Sequence, residues 1–417
     1  MAVTRREFIK RTVGAVSVTA LMPTLALTGR AQSADGRRIF VVIQCLGGND
    51  GLNTVIPYTN ARYHTLRPTL GFEEADLKDS RNRPTIISSE FGLHPSLGEI
   101  KDFYDAGRVA IILGIGYPEP NQSHFDSMDI WHTANVKDGR GKGWLGRYAD
   151  IALADDEGLV ALSSTFTLPK SLQSNRAVIP SISIGAFPTY DISTDPNFAA
   201  ERDARVNLLM AGNSRQFPDA SFISEVARNG EGALGKVAKI KSAQNDYQSS
   251  VTYPANNQLA EGLKIVARVA TTSAESMLFY VTLADFDHHA RQADAHTALL
   301  RQFSEAVKAF YDDMEQHSLA DKLLVMQWSE FGRRPFENGS AGTDHGAASM
   351  MFVLGNPVAG GIYGEQPSLE AMDIDEVGNL KFTVDFRAVY ATILDRWLGV
   401  EHREVLGDEF ENIGFLA

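Results

Sequence analysis

Asp344 and His345 stand side by side in GTDHG, directly before the apolar run ASMMFVLG. An acid and an imidazole placed in this way can ligate a metal ion, but they can also form a surface turn that Asp344 caps. Gly342 and Gly346 would let the backbone approach another segment closely while both side chains reach a cation. The choice depends on which other side chains reach the same place.

Three further segments carry acidic residues directly after apolar runs. LGGNDGLN follows IFVVIQC, DFDHHARQ follows MLFYVTLA, and SEFGRRP follows KLLVMQW. If these runs are strands of one open α/β sheet, the segments meet beyond the carboxyl ends of the strands, where ligands bind. Crowded carboxylates are costly to desolvate unless a cation neutralises them. We therefore predict a metal site with the ligands Asp50, Asp287, His289, Glu330, Asp344 and His345.

Each predicted ligand also has an ordinary structural explanation. Asp50 in N-D-G is a common turn residue, and Glu330 can pair with a neighbouring arginine at the surface. Asp287 and His289 are two positions apart, so their side chains share one face if the strand continues that far. Mixed carboxylate and imidazole ligands favour one or two Zn²⁺ or Mn²⁺ ions over Ca²⁺ or Mg²⁺.

Ser123 lies where NQSHFDSMDIWHTA becomes helical after a proline-containing turn. Serine is favoured as a helix N-cap, which predicts a structural role. A hydroxyl at a helix N-terminus that also touches a metal ion would instead have its alkoxide stabilised by the dipole and the cation. The spacing leaves both roles open. No G-x-S-x-G elbow or P-loop is present, which disfavours the usual serine-hydrolase and nucleotide-phosphate sites.

The first 34 residues have the pattern of an export signal. Arg5 and Arg6 open the segment, and an uncharged stretch from Thr12 to Gly29 is followed by small residues. This order is typical of twin-arginine signals. The stretch contains Pro23 and several threonines, so it is poorly apolar for a membrane span. We predict a signal peptide over residues 1–34, export by the twin-arginine translocation machinery to the periplasm or beyond, and no stable membrane anchor.

Composition limits the partners of the chain. The 417 residues are 44% hydrophobic and 22% charged, which suits a globular protein with a large core. The formal net charge is −13, and loss of residues 1–34 would make the chain more acidic. Such a balance disfavours nucleic acid and anionic membranes as partners. The single cysteine, Cys45, predicts no disulfide.

Apolar runs alternate with segments of helical period, which predicts an α/β fold with a mainly parallel central sheet. The predicted strands are 39–45, 109–116, 177–185, 276–284, 322–329 and 348–355. The predicted helices are 95–106, 123–133, 197–211, 258–271, 296–316 and 386–398. Few strand patterns occur between about 139 and 256, so we predict a helical cap inserted there, within one domain over residues 35–417.

Several motifs together resemble a known family. These are the twin-arginine start, LGGNDGLNTVIP, NQSHFD, GWLGRY, FDHHARQ, SEFGRRP, GTDHG and GGIYG. They are similar to the bacterial family catalogued as domain of unknown function fifteen-oh-one, which is allied to the alkaline phosphatase and sulfatase superfamily. The resemblance implies an alkaline-phosphatase-like three-layer α/β/α sandwich, one or two metal ions, and a nucleophile at a helix start.

The resemblance also implies roles for individual residues. Asp50 corresponds to the first metal carboxylate and Ser123 to the nucleophile. Asp287 with His289 corresponds to one metal's carboxylate and histidine. Asp344 with His345 corresponds to the Asp-His pair that the superfamily carries late in the chain. Glu330 corresponds to the carboxylate of the other metal. The sequence around Ser123 lacks the C/S-x-P-x-R pattern of sulfatases, which favours phosphate esters over sulfate esters.

The sequence thus predicts an exported metal-dependent hydrolase of phosphate esters, or less favourably sulfate esters, with small-molecule or polymeric anionic substrates. Arg333 or Arg147 would hold the anionic substrate, because an acidic protein needs local positive charge there. Two alternatives remain open: a non-catalytic extracytoplasmic scaffold or binding protein on the same fold, and a metal-dependent mutase or transferase.

Overall fold

The strand that opens the fold, β1, is buried along its whole length and lies inside an eight-stranded sheet. The computed structural model describes residues 36–154, 161–165, 167–181, 242–243, 246–272, 275 and 277–417. The strands are β1 (Ile39–Cys45), β2 (Val55–Ile56), β3 (Gly92–Leu93), β4 (Val109–Gly116), β5 (Ala161–Ser163), β6 (Met277–Leu283), β7 (Leu323–Trp328), β8 (Ser349–Leu354), β9 (Gly361–Tyr363) and β10 (Val384–Asp385). The helices are α1 (Ala61–Leu66), α2 (Gly98–Asp105), α3 (His124–Thr133), α4 (Trp144–Ala152), α5 (Gln258–Thr272), α6 (Gln292–Gln316), α7 (Phe386–Ile393) and α8 (His402–Leu406).

The main sheet has the order β10-β4-β8-β7-β1-β6-β5, and β9 also pairs with β4. β1 is parallel to both β6 and β7, and β5 is parallel to β6. β8 is the antiparallel member, since it runs against both β4 and β7. β2 and β3 form a separate antiparallel pair. The prediction of a mainly parallel sheet is confirmed.

Alternate side chains of β1 enter two different cores because successive residues of a strand point to opposite faces. Ile39, Val41 and Ile43 pack with helices α2, α5 and α6. Phe40 and Val42 pack on the other face with helices α3, α4, α7 and α8. Helices therefore cover both faces of the sheet, and the predicted three-layer α/β/α sandwich is confirmed.

Most predicted elements lie within a few residues of the observed ones. Helix α6 begins at Gln292 rather than His296, and the segment after α7 continues as a π-helical turn over Leu394–Leu398. The predicted strand 177–185 differs in its described part, where Ser181 forms only an isolated bridge to Ser163. Pro180 has no N–H to give to a strand ladder, which accounts for the interruption. The predicted helix 197–211 lies outside the described residues.

Within the predicted cap, 139–256, the structure describes α4, which packs on the sheet, and β5, which pairs with β6 in the main sheet, and much of the rest lies outside the described residues. The domain boundaries, including the signal peptide over 1–34, stay predictions. In the part of the chain that the structure describes, no helix is long and apolar enough to cross a membrane.

One edge of the main sheet collects the segments that carry the predicted ligands. The carboxyl ends of β1, β4, β6 and β7 lie at this edge. Because β8 is antiparallel, its first residue rather than its last lies there. The segment GTDHG, which precedes β8, therefore meets the segments that follow the other strands.

Candidate metal centre

Two imidazoles and a carboxylate approach one another closely at this edge. The Nε2 atom of His289 lies 3.0 Å from Nε2 of His345 and 3.1 Å from Oδ1 of Asp287. The Nε2 atom of His345 lies 3.0 Å from the same Oδ1. Residues from the loop after β6 and the loop before β8 thus share one centre.

A third imidazole, from His124, completes the group. Its Nε2 atom lies 3.5 Å from Oδ2 of Asp287 and is buried without a hydrogen-bond partner. One ligand atom each from His124, Asp287 and His345 can be chosen so that all lie within 4.8 Å of one another. We call His124, Asp287, His289 and His345 the imidazole cluster.

The other ring nitrogen of each histidine in the cluster is held by an oxygen atom. Nδ1 of His124 donates to Oε1 of Glu330 at 2.7 Å, and Nδ1 of His345 donates to the carbonyl of Gln122 at 2.8 Å. Nδ1 of His289 donates to Oδ1 of Asp344 at 3.2 Å. A neutral imidazole with its proton on Nδ1 presents a lone pair at Nε2.

This arrangement fits a metal ion by its donor chemistry. Lone pairs on Nε2 atoms that face each other and a carboxylate oxygen repel unless a proton or a cation lies among them. Metal-bound histidines typically donate their other N–H to a carboxylate or a backbone carbonyl, as all three do here. Three imidazole nitrogens and one carboxylate are a donor set that Zn²⁺ accepts, and imidazole also suits other transition metals.

Electrostatics around the cluster favour ionised Asp287. Partial desolvation would raise its pKa, but the hydrogen bond and the charge of Arg333 outweigh that effect and hold the pKa well below its usual range. The hydrogen bond to Glu330 raises the pKa of His124, against the effect of burial. A hydrogen bond from Asn338 is the main cause of the lowered pKa of Asp344, and nearby positive charges add to it.

Glu330 and Asp344 lie behind imidazoles rather than among the converging Nε2 atoms. Glu330 is fully buried, and its Oε1 also accepts from the backbone N–H of Gly47 at 2.8 Å. Asp344 is held by Asn338 at 3.1 Å. The sequence predicted both residues as ligands, and in the structure both contact a histidine that is in the cluster.

Asp50 lies apart from the cluster in a closed polar group. Its Oδ2 accepts from Nη1 of Arg67 at 2.6 Å and also from Gln292. Burial would raise the pKa of Asp50, but the charge and hydrogen bond of Arg67 lower it. Among the described residues, no hydrogen bond or ion pair joins Asp50 to a member of the imidazole cluster, and the guanidinium of Arg67 already neutralises its charge.

Arg333 is committed to the protein rather than free to hold a substrate. It is 2% exposed, and its guanidinium donates to Oδ1 of Asp287 at 2.8 Å. Its other donors bind backbone carbonyls, namely those of Gly47, Gly48, Phe286 and Thr343. Arg333 thus ties the loops after β1 and β6 to GTDHG, which positions Asp287.

Arg147 also uses its guanidinium for hydrogen bonds within the protein, at a place away from the cluster. Its guanidinium donates to the carbonyls of Thr133, Lys142 and Val405. Burial lowers its pKa to about 10. None of these partners belongs to the cluster, so Arg147 fixes the position of α4, and the structure does not bring it together with the predicted metal ligands.

Ser123 occupies the N-cap of α3. Its Oγ accepts from the backbone N–H of Asp126 at 3.5 Å, which is a long hydrogen bond. Among the described residues, no contact joins the Ser123 hydroxyl to the cluster, but the next residue, His124, belongs to it. The nucleophile stays a prediction.

Close approach of the backbone explains the glycines of GTDHG. A Cβ atom at Gly342 would lie 2.3 Å from the carbonyl carbon of His289, and one at Gly346 would lie 2.4 Å from that of Arg333. Any side chain at either position would push GTDHG away from the segments that complete the cluster. The predicted role of these two glycines is confirmed.

A family model described as a protein of unknown function (DUF1501) matches residues 37–409. The chain belongs to this family. The family resemblance read from the motifs is therefore confirmed over nearly all of the chain after residue 36. A search of curated proteins found no match.

Several solved structures are distantly similar to this family member. The PsFucS1 sulfatase from Pseudoalteromonas sp. is 11% identical, with 93% of this chain and 73% of that chain covered and a TM-score of 0.42. The C-terminal periplasmic domain of EcEptC from Escherichia coli, in complex with Zn, is 7% identical, with 78% and 74% covered and a TM-score of 0.39. The lipoteichoic acid synthase LtaP from Listeria monocytogenes is 7% identical, with 84% and 75% covered and a TM-score of 0.34. Similarities this low do not identify the reaction, which depends on the geometry of the site.

Sequence reasoning missed His124. The signal is present in NQSHFD, where His124 directly follows Ser123, the residue for which the sequence predicts either a cap or a nucleophile. A residue at the start of a helix that follows β4 reaches the same edge as the residues after β1, β6 and β7. The position of His124 could have been inferred from this topology.

Proposed function

We propose that this family member is an exported metal-dependent hydrolase of phosphate esters, with sulfate esters as less favoured substrates. One observation carries the proposal: three Nε2 atoms converge on the carboxylate of Asp287 while an oxygen atom holds each Nδ1. His124, Asp287, His289 and His345 would hold one divalent ion, with Zn²⁺ or Mn²⁺ favoured. When bound, such an ion supplies Lewis-acid polarisation of an ester oxygen.

The residues around the cluster would orient the substrate. Helix α3 begins at His124, so its first-turn N–H groups face the same side as the cluster and favour an anionic ligand. The hydroxyl of Ser123 would attack phosphorus in line, which releases the alcohol and leaves a phosphoserine for water to cleave. The long hydrogen bond that Ser123 accepts leaves its hydroxyl weakly held.

Metal content and turnover test the proposal together. Protein purified without chelators should contain about one divalent ion per chain and cleave a generic phosphate ester faster than the matching sulfate ester. His124→Ala should lose both properties. His64→Ala is the matched control, because His64 is half-buried and bonded to the carbonyl of Tyr58. Metal-loaded protein without turnover of either ester would favour the scaffold, and protein without metal would remove the proposal.

Ser123→Ala separates a nucleophile from a cap. If Ser123 attacks the ester, the variant should keep its metal and lose turnover. Loss of the cap alone should cost about 1 kcal/mol of stability and leave turnover intact. Melting and activity measured on one sample distinguish these results, and a less stable but active variant would assign Ser123 to the cap.

Export rests on the first 34 residues. Arg5→Lys with Arg6→Lys should leave precursor in the cytoplasm, because the paired guanidinium groups are what the translocation machinery reads. Cell fractionation measures the result, and unchanged delivery would remove the export proposal.

A further inference from the structure

We propose that Arg334 binds the anionic group of the substrate at the open side of the imidazole cluster. This inference rests on the proposed hydrolase function and names the residue that recognises the phosphate group. It also reassigns the role that the sequence gave to the neighbouring Arg333.

The two adjacent arginines point to different sides of a short ribbon. Arg333 forms an antiparallel bridge with His345, and both contact Asp287. The backbone N–H of Arg334 donates to the carbonyl of Asp344 at 3.0 Å. Because side chains alternate along an extended ribbon, Arg334 projects on the side of Asp344. Arg333 thus holds Asp287 in the cluster, and Arg334 lies on the other side of the ribbon.

Arg334 lies between two segments, of which one contacts the cluster directly and the other contacts it through Gln122. On one side, Oδ1 of Asp344 accepts from Nδ1 of His289 at 3.2 Å. On the other side, Cδ of Arg334 lies 3.7 Å from the position that a Cβ at Gly378 would take. The next residue, Asn379, accepts from the side chain of Gln122 at 2.7 Å.

The carbonyl of Gln122 in turn accepts from Nδ1 of His345. Arg334 therefore lies next to Asp344, whose carboxylate holds His289, the most exposed imidazole of the cluster. The cluster is open on this side, since the side chains of Asp287, His289 and Asp344 are 45%, 46% and 42% exposed.

The guanidinium of Arg334 forms no hydrogen bond or ion pair with any residue that the structure describes. Among the described residues, no carboxylate lies within ion-pair distance of Arg334, and its buried Nε has no hydrogen-bond partner. Its Cζ lies 5.9 Å from the centre of the Phe336 ring, which limits where the side chain can go. The charge of Arg334 contributes to the lowered pKa of Asp344 without an ion pair between the two, so the guanidinium keeps N–H donors that an anionic ligand can accept from. The planar fork of arginine matches the oxygen atoms of phosphate.

Phosphate binding to metal-loaded protein tests the inference without requiring turnover. Calorimetry with inorganic phosphate should show binding to the wild type that Arg334→Met weakens by about tenfold or more and Arg334→Lys weakens less. The metal content of both variants should equal that of the wild type. Arg62→Met is the control for loss of an arginine elsewhere, because Arg62 also has a buried Nε without a hydrogen bond, pairs at 3.9 Å with Glu370 and lies outside the cluster.

The outcomes separate this inference from the proposed function. Phosphate affinity that survives in Arg334→Met overturns the inference, as does wild-type protein that holds metal but binds no phosphate. Unchanged phosphate affinity with reduced metal content would mean that Arg334 acts through Asp344 on His289, which also overturns it. Arg334-dependent phosphate binding by a protein that cleaves no ester would support the inference and remove the hydrolase.

Discussion

Asp50 and Asp287 both follow a parallel strand and lie at the same edge of the sheet, yet their surroundings differ. The side chain of Asp50 is 3% exposed, and that of Asp287 is 45% exposed. Asp50 faces the guanidinium of Arg67, whereas Asp287 faces three imidazole Nε2 atoms as well as Arg333. The carboxylate of Asp50 pairs with a fixed guanidinium and is otherwise hydrogen-bonded within the protein, so it needs no further ion. A carboxylate surrounded by Nε2 atoms has places left for one.

The histidines near the two aspartates differ in the same way. His94 and His296, on the Asp50 side, are buried, and burial lowers their pKa to about 3 and about 4. They line a cavity of about 300 Å³ with Gln292. Nε2 of His296 donates to the side chain of Asn49 at 2.9 Å. These imidazoles stay neutral and already have polar partners, whereas the cluster around Asp287 keeps an unpartnered nitrogen.

Removal of the charge on Asp287 should have the largest effect. Asp287→Asn keeps the shape of the side chain but removes the anion on which the Nε2 atoms converge, so we expect metal content below about a tenth of the wild-type value. Turnover should fall with it. Asp285→Asn, an exposed neighbour, is the control. Full metal content in Asp287→Asn would show that Asp287, like Asp50, is not a metal ligand.

Removal of the counter-charge of Asp50 should mainly affect stability. Arg67→Met leaves a buried carboxylate unpaired, which should lower the free energy of unfolding by about 3–5 kcal/mol. Denaturant unfolding of the metal-loaded protein measures the change. The cluster should still bind its ion. If this variant were instead stable and held a second metal ion per chain, Asp50 would be a ligand that Arg67 normally blocks.

A smaller effect should follow from Glu330→Gln. The amide can still contact His124 but no longer provides the negative charge that orients and polarises its ring. We expect metal affinity to fall by about 10-fold to 100-fold, as for other partners behind a ligand. Competition with a chelator measures the affinity, and Glu99→Gln serves as the control. A complete loss of metal would instead give Glu330 the place of a direct ligand.

The sequence predicts the strands and helices well, but it predicts the roles of the individual acidic side chains in the site less well. Buried strands such as β6 and β8 are recognisable in the sequence as short apolar runs, and the segments at their ends hold Asp287, His289 and His345 near one another. Whether Glu330 approaches a metal or an imidazole depends on the direction of one side chain, which no local pattern encodes. Asp50 finds its partner, Arg67, seventeen positions further on in another element. Spacing alone does not reveal that contact.

The antiparallel strand β8 limits how the chain can change its length. Loops that leave the ends of β1, β6 and β7 are followed by separate elements, so they can gain residues while each preceding strand stays in place. GTDHG instead leads into a strand, with Gly346 and Ala347 already paired to Gly332. One residue inserted between His345 and Ser349 would either displace the imidazole or shift the register of β8 against both of its neighbours. Such a shift would turn the buried side chains of β8 to the wrong faces. Homologous chains should therefore keep the number of residues between His345 and β8 constant.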